Sequence, residues 1–332
     1  MYLCIRIAAH HFYVAVHHST KMRYIGEIIS LLVACSWTVA ALSSEIGSRR
    51  LGVFVMNVWR MALALLLSAL LMWWVFGQPY PVFAGLGTWG WLLLSGVIGY
   101  FFGDWCLFNS YLTIGSRFGQ LFMTLAPMFT ALTAWVVLGQ ELSCSTLLAM
   151  AVTLSGIAIS VLSRDSHHLI GVSLPPKGIL FGIGAGLGQG VGLVLSKVGM
   201  DHYTADVPCA LLPQVESYLP FGSNMIRCVA GLACFTLWLV MRGEVSRLRT
   251  SLHDRRGLTA MVVAVFSGPF VGVGFSLMAL QYTAAGIAST LMALTPILIL
   301  LPSRWLFGQP ITLRSVLGAV ISCIGVSLFF LL

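Results

Sequence analysis

The chain has 332 residues; 58% are apolar, 8% are charged, and the mean hydropathy is +0.95. A soluble domain carries roughly a quarter charged residues, so a single water-soluble core is excluded and a bilayer must solvate the excess apolar surface. The net charge of +8 lies in loops between apolar runs, where basic residues orient helices in a membrane, and is not a footprint for nucleic acid.

Residues 1–23 read as an N-terminal extension. Arg6, His10, His11, His17 and His18 interrupt the apolar residues there, so the segment does not span, and it is too polar for the core of a signal peptide. Met22-Arg-Tyr offers an alternative start.

A spanning helix needs ~20 apolar residues. Ten are predicted, at about 24–43, 53–76, 90–113, 117–138, 143–162, 176–197, 224–242, 258–280, 284–306 and 312–332. Gly77-Gln-Pro-Tyr-Pro81, Arg164-Asp-Ser-His-His168 and Pro175-Pro176 punctuate them. The long connection 198–223 carries Asp201, Asp206, Pro208, Pro213, Glu216 and Pro220, and is expected to lie along the membrane surface. The sixth helix has Gly178, Gly182, Gly184, Gly186, Gly188, Gly190 and Gly192, all at even positions. The G-x-G-x-x-G step of a dinucleotide loop never occurs. The G-x-x-x-G spacing suits close approach of helix backbones in lipid, or a helix that bends as a gate.

Two stretches repeat at an offset of 169 residues without a gap. Gly99-Tyr-Phe-Phe-Gly103 returns as Gly268-Pro-Phe-Val-Gly272, Leu125-Ala-Pro127 as Leu294-Thr-Pro296, Leu138-Gly139-Gln140 as Phe307-Gly308-Gln309, and Gly156 as Gly325. Asn57-Val-Trp-Arg60 and Asn224-Met-Ile-Arg227 match at an offset of 167. Ser44-Glu45 stands loosely opposite Ser196-Lys197. Duplicated blocks of membrane helices mark secondary transporters, whose site lies between the halves. The predicted fold is therefore an all-α polytopic membrane protein, with residues 24–165 and 166–332 as two five-helix repeats. Five is odd, so the second repeat enters the bilayer inverted.

These paired motifs resemble the EamA type of the drug/metabolite transporter superfamily. The first copy reads Gly119…Leu125-Ala-Pro127…Gly139-Gln-Glu141…Gly156, the second Gly286…Leu294-Thr-Pro296…Gly308-Gln-Pro310…Gly325. The resemblance covers about residues 24–332 and implies ten helices, with a cavity lined mainly by the first four of each half. It also implies transport of small metabolites, commonly driven by proton or substrate gradients. Two departures stand out: Pro310 replaces Glu141, and Val273 stands opposite Asp104.

Asp104 lies within the third predicted helix. A carboxylate at the bilayer centre costs ~2.5–3.5 kcal/mol on insertion scales, which calls for a polar partner, a watery cavity or a proton. Tyr100, Phe108 and Tyr111 share its face at helical spacing. Arg60 and Arg227, each one turn after Asn57 or Asn224, either snorkel to the interface or hold the halves together and attract an anion. Pro127 and Pro296 remove a helical hydrogen bond each; they kink their helices or free carbonyls for a cavity. Trp37, Trp59, Gln120, Gln189, Ser196, Gln281 and Tyr282 supply sparse polar and aromatic atoms, and Lys197 is expected at the interface. His10-His11, His17-His18 and His167-His168 have no Cys or acidic cluster beside them, so no metal site is predicted. The eight Cys are isolated, with no disulfide framework or cofactor implied.

The expected function is a secondary carrier, an exporter, of small metabolites such as amino acids or amphipathic compounds across the cytoplasmic (inner) membrane. Its partners would be the substrate, lipid and coupling protons, in a monomer or homodimer. The alternative is a membrane-embedded enzyme for lipid-linked substrates. That reading needs a compact acid, base or metal set at one interface, and the sequence shows none. Orientation is contested. Four Lys/Arg fall on the face of the termini and twelve on the other, five of them within 241–256. Positive charge marks the cytoplasmic face and puts the termini outside; the family resemblance puts them inside.

Overall fold

A computed structural model describes residues 24–139, 141–164, 170–172, 174–215, 218–283, 285–309 and 311–331. The first half runs α1 (Ile25–Leu51), α2 (Val53–Phe76), α3 (Leu86–Gly96), a π-helical turn π1 (Val97–Gly103), α4 (Asp104–Met123), α5 (Ala126–Leu138) and α6 (Cys144–Val161). A short antiparallel ribbon, β1 (Leu162–Arg164) with β2 (Ile170–Val172), leads into the second half. There follow α7 (Pro176–Asp206), α8 (Leu212–Val215), α9 (Leu219–Met241), α10 (Ser246–Ser251), α11 (Arg255–Val265), π2 (Phe266–Gly272) and α12 (Val273–Tyr282). The chain ends with α13 (Ala285–Met292), α14 (Thr295–Leu298), α15 (Leu300–Phe307) and α16 (Leu313–Leu331). Among the described residues, eight helical stretches are long and apolar enough to cross a membrane. One of them, Leu86–Met123, reverses direction within α4: Gly115 has φ of +84°, a conformation glycine adopts without Cβ strain. Beyond it, Gln120 Nε2 reaches back to donate to Tyr111 Oη at 2.6 Å.

The two halves run in opposite directions, as expected of an inverted repeat. α6 and α16 pack through Gly156 against Ser322 and Gly318, and through Gly325 against Thr153. Pairs 153/325, 156/322 and 160/318 define an antiparallel seam. Ser322 Oγ lies 3.5 Å from Thr153 O, a contact between residues 169 apart.

Most predicted helix boundaries agree with the structure to within a few residues, but α1 and α7 are longer: α1 continues past the predicted end at 43 to Leu51 and so takes in Glu45, Arg49 and Arg50. α7 continues to Asp206, about 46 Å at 1.5 Å per residue, more than the ~30 Å hydrocarbon core. The segment 198–206 is thus a helical projection rather than a surface-lying loop. Lys197 does not close the helix; it is exposed and pairs with Asp201 at 2.6 Å. His202 lies in this helix, so the predicted spans do not hold all of the helical residues. The His pairs of the extension and of 167–168 lie outside the described residues.

Pro127 and Pro296 are not mid-helix kinks. Each sits in the first turn of a new segment, α5 and α14, after a tight turn at Thr124–Leu125 or Ala293–Leu294. Proline is tolerated there because its missing N–H would have no helical acceptor.

The glycines of α7 act as a wedge. Gly182, Gly186 and Gly190 meet Phe122, Leu125 and Phe129, whereas Gly188 and Gly192 meet the backbone of Gly103 and Gly99. A Cβ at Gly188 would stand 2.6 Å from Gly103 Cα, so only glycine allows this approach. The observed close packing supports the first of the two glycine readings. The principal core gathers Met56, Met61, Phe108, Tyr111, Phe235 and Leu239 from α2, α4 and α9.

The face reached by the ends of α1, α6 and α9 is laced together by polar contacts. Glu45, fully buried, accepts from Ser116 N at 2.6 Å and from Arg49. Arg50 pairs with Asp254, and Trp59 Nε1 donates to Ser251 Oγ at 2.9 Å. Asp254 also caps α11 by accepting from Gly257 N; that N–H first, and Arg50 second, hold its carboxyl below the usual carboxylate range.

Candidate functional site

The site forms where π1 gives way to α4. A π-helical turn widens the helix by one residue per turn and recurs at functional sites. Here it occurs twice, π1 and π2 standing 169 residues apart, so the widening belongs to the repeat. Asp104 is the first residue after π1, and Val273 the first after π2.

Asp104 is 4% exposed. Its Oδ2 accepts from Arg60 Nη2 in a close ion pair, and its Oδ1 accepts from Gln189 Nε2 at 3.1 Å. Gln189 also points its amide at Gly99 O, 3.3 Å away in π1. Arg60 is oriented by Asn57, whose Oδ1 accepts from Arg60 Nε at 3.2 Å. Asn57 is itself fixed, fully buried, by donating to Val53 O at 2.9 Å. The Arg60 guanidinium lies 5.0 Å over the Phe108 ring, and Phe108 stacks on Tyr111 at 5.7 Å. Gln120 extends this column through its bond to Tyr111.

A second layer belongs to α9. Arg227 lies over the Tyr100 ring, 4.3 Å from its centroid, and Tyr100 Oη donates to Asn224 Oδ1. Counting along the helices at 1.5 Å per residue, Arg60 stands about 10 Å from the start of α2 and Arg227 about 12 Å from the start of α9. Both side chains are engaged inside the helix bundle, Arg60 with Asp104 and Arg227 over Tyr100. The two layers are bridged by Gln189 and by the turn of π1 between Tyr100 and Asp104.

Of the residues picked from sequence, Asp104, Arg60, Asn57, Gln189, Tyr111, Gln120, Arg227 and Asn224 meet in these two layers. Trp37 does not. It packs against Gly272 of π2 with Ile29, Val33 and Met278, because its position on α1 faces the second half. Gln281 lies in α12, and its side chain is outside the described residues. Pro127 and Pro296 stand at the helix breaks described above. Tyr100 and Phe108, named only as neighbours of Asp104, prove to be the surfaces on which the two arginines rest. Glu45 was passed over; a lone carboxylate four residues before Arg49 in an apolar helix was its available signal. Among the described residues there is no cluster of metal-ligating side chains, and seven cysteines are free.

Residues 24–162 and 176–331 each match the EamA-like transporter family, and the chain belongs to that family. It is a multi-pass membrane transporter of the drug/metabolite transporter superfamily, built from two repeats. No curated protein matches it. A solved structure titled "Crystal structure of protein" is similar in fold, with a TM-score of 0.50 and 14% identity, over 91% of this chain and 95% of that one.

Proposed function

We propose that this transporter is a secondary exporter of small metabolites, of amino-acid or amphipathic type, in the cytoplasmic (inner) membrane, with Asp104 as its proton-coupling group. The observation that carries the reading is the set Arg60, Asp104 and Gln189, a buried ion pair of one half bonded to an amide of the other. A proton on Asp104 ends its attraction to Arg60 and weakens the Gln189 bond, so protonation loosens the contact between the halves. Charge inside a membrane is retained where an ion or substrate path needs it, and broken helices beside such a site are a carrier device. The partly buried Tyr100 ring suits the apolar body of an amphipathic solute. The basic loops on one face support a cytoplasmic position for that face.

The test is flux in proteoliposomes under an imposed pH gradient. Asp104→Asn keeps size and much of the hydrogen bonding but cannot ionise. It is expected to insert and fold yet lose gradient-driven transport, whereas exchange that does not use the charge survives. A wild-type rate for Asp104→Asn under the gradient assigns Asp104 a structural role instead.

A further inference from the structure

The repeats place an arginine at matching positions, Arg60 and Arg227, but only the first places a carboxylate, Asp104, after its π turn. In the first half, Asp104 follows π1 and neutralises Arg60. In the second half, the residue in the same place after π2 is Val273. Among the described residues Arg227 makes no ion pair, and its Nε is buried without a hydrogen-bond partner. The Tyr100 ring beneath it, at 4.3 Å, attracts a cation but does not neutralise one. Asp104, already paired with Arg60, reaches Arg227 only as a longer-range attraction, so two cations share one carboxylate; an incompletely neutralised guanidinium inside a bilayer is costly, and its planar fork matches a second carboxylate.

We propose that the missing counter-ion arrives with the substrate: Arg227 receives the carboxylate of a small organic anion or zwitterion, held over Tyr100. The apolar body of the solute then lies beside the partly buried Tyr100 ring, and Asn224, one turn before Arg227, offers its amide. This rests on the carrier reading above and names the class of solute that the site takes.

Binding is read from thermal unfolding of the purified protein with phenylacetate and N-acetylphenylalanine, each set against its neutral amide. The acids are expected to bind about tenfold more tightly than the amides, the discrimination given by one charge-assisted contact. Arg227→Gln removes the discrimination. Equal binding of acid and amide to the wild type overturns the proposal, as does discrimination that survives in Arg227→Gln. So does an equal shift with sodium chloride at the same ionic strength, which would make the site one for inorganic anions. Asp104-dependent flux of the neutral amides would overturn the carboxylate assignment and leave the carrier reading standing.

Discussion

Arg60 and Asp104 are each other's reason for being buried. Their side chains are 13% and 5% exposed, so removing either leaves a charge that neither water nor lipid can compensate. Breaking a buried pair from one side costs about 3–5 kcal/mol, whereas removing both charges is often neutral. Arg60→Gln is therefore expected to destabilise the protein by about 3 kcal/mol, and the double variant Arg60→Gln/Asp104→Asn to recover most of that. Thermal unfolding of the three variants in one detergent checks this; a double variant no better than Arg60→Gln would mean that the charges do not act as a pair. Asp104 was legible in the sequence because a carboxylate is conspicuous in an apolar run. Which of Arg60 and Arg227 pairs with it was not: the partner, Arg60, lies 44 residues away, and pairing depends on how α2 and α4 pack. Trp37 shows the converse limit: its composition fits a ligand lining, but its helix face turns toward π2.

At the scale of elements, the sequence announced where helices begin and end more clearly than how they are wound. The glycines of π1 and π2 were visible as a repeat, yet nothing in residue type distinguishes an α from a π turn. Pro127 and Pro296 mark the helix breaks in the sequence, but residue type alone leaves a kink and a full break open, since the preceding turn leaves no mark of its own. The even-numbered glycines of α7 were the clearest signal. Gly188 and Gly103 meet backbone to backbone, and a Cβ at Gly188 would fall 2.6 Å from Gly103 Cα. Gly188→Ala is expected to cost about 1–3 kcal/mol through overpacking and to lower transport, because Gln189 is displaced from Asp104. Gly268→Ala is the control: its Cβ would lie 3.4 Å from Ala40 Cβ, an ordinary contact, and its melting temperature is expected to stay near wild type. A Gly188→Ala protein as stable and active as Gly268→Ala would refute the wedge.

For the whole molecule, the inverted arrangement followed from five helices per repeat, and the seam of α6 with α16 bears it out. Orientation rests on charge alone. The loop carrying Arg242, Arg247, Arg249, Arg255 and Arg256 is expected to face the cytoplasm. Ser251 is a poor reporter, being buried under Trp59, but the neighbouring Thr250 is exposed. Thr250→Cys, in a background cleared of reactive native cysteine, is expected to resist an impermeant thiol reagent added to intact cells and to react in inverted vesicles. Labelling from outside would reverse the orientation. The charge count was open to view in the sequence, whereas the closure of this face by Glu45, Arg50 and Trp59 was not, since each contact joins residues far apart along the chain.

The seam has a meaning beyond packing. Thr153 and Ser322 occupy the same place in their repeats, and they touch. A surface that meets its own copy is how a two-fold homodimer is built, so one chain here reproduces the geometry of two identical five-helix subunits lying antiparallel. In such a pair every substitution appears twice, and an aspartate on one side of the axis forces an aspartate on the other. Joining the subunits end to end lifts that constraint. A fused chain can keep Asp104 beside one arginine and place Val273 after the other turn, which a homodimer cannot. The imbalance of charge at its centre is a property that no symmetric ancestor of the same shape could hold.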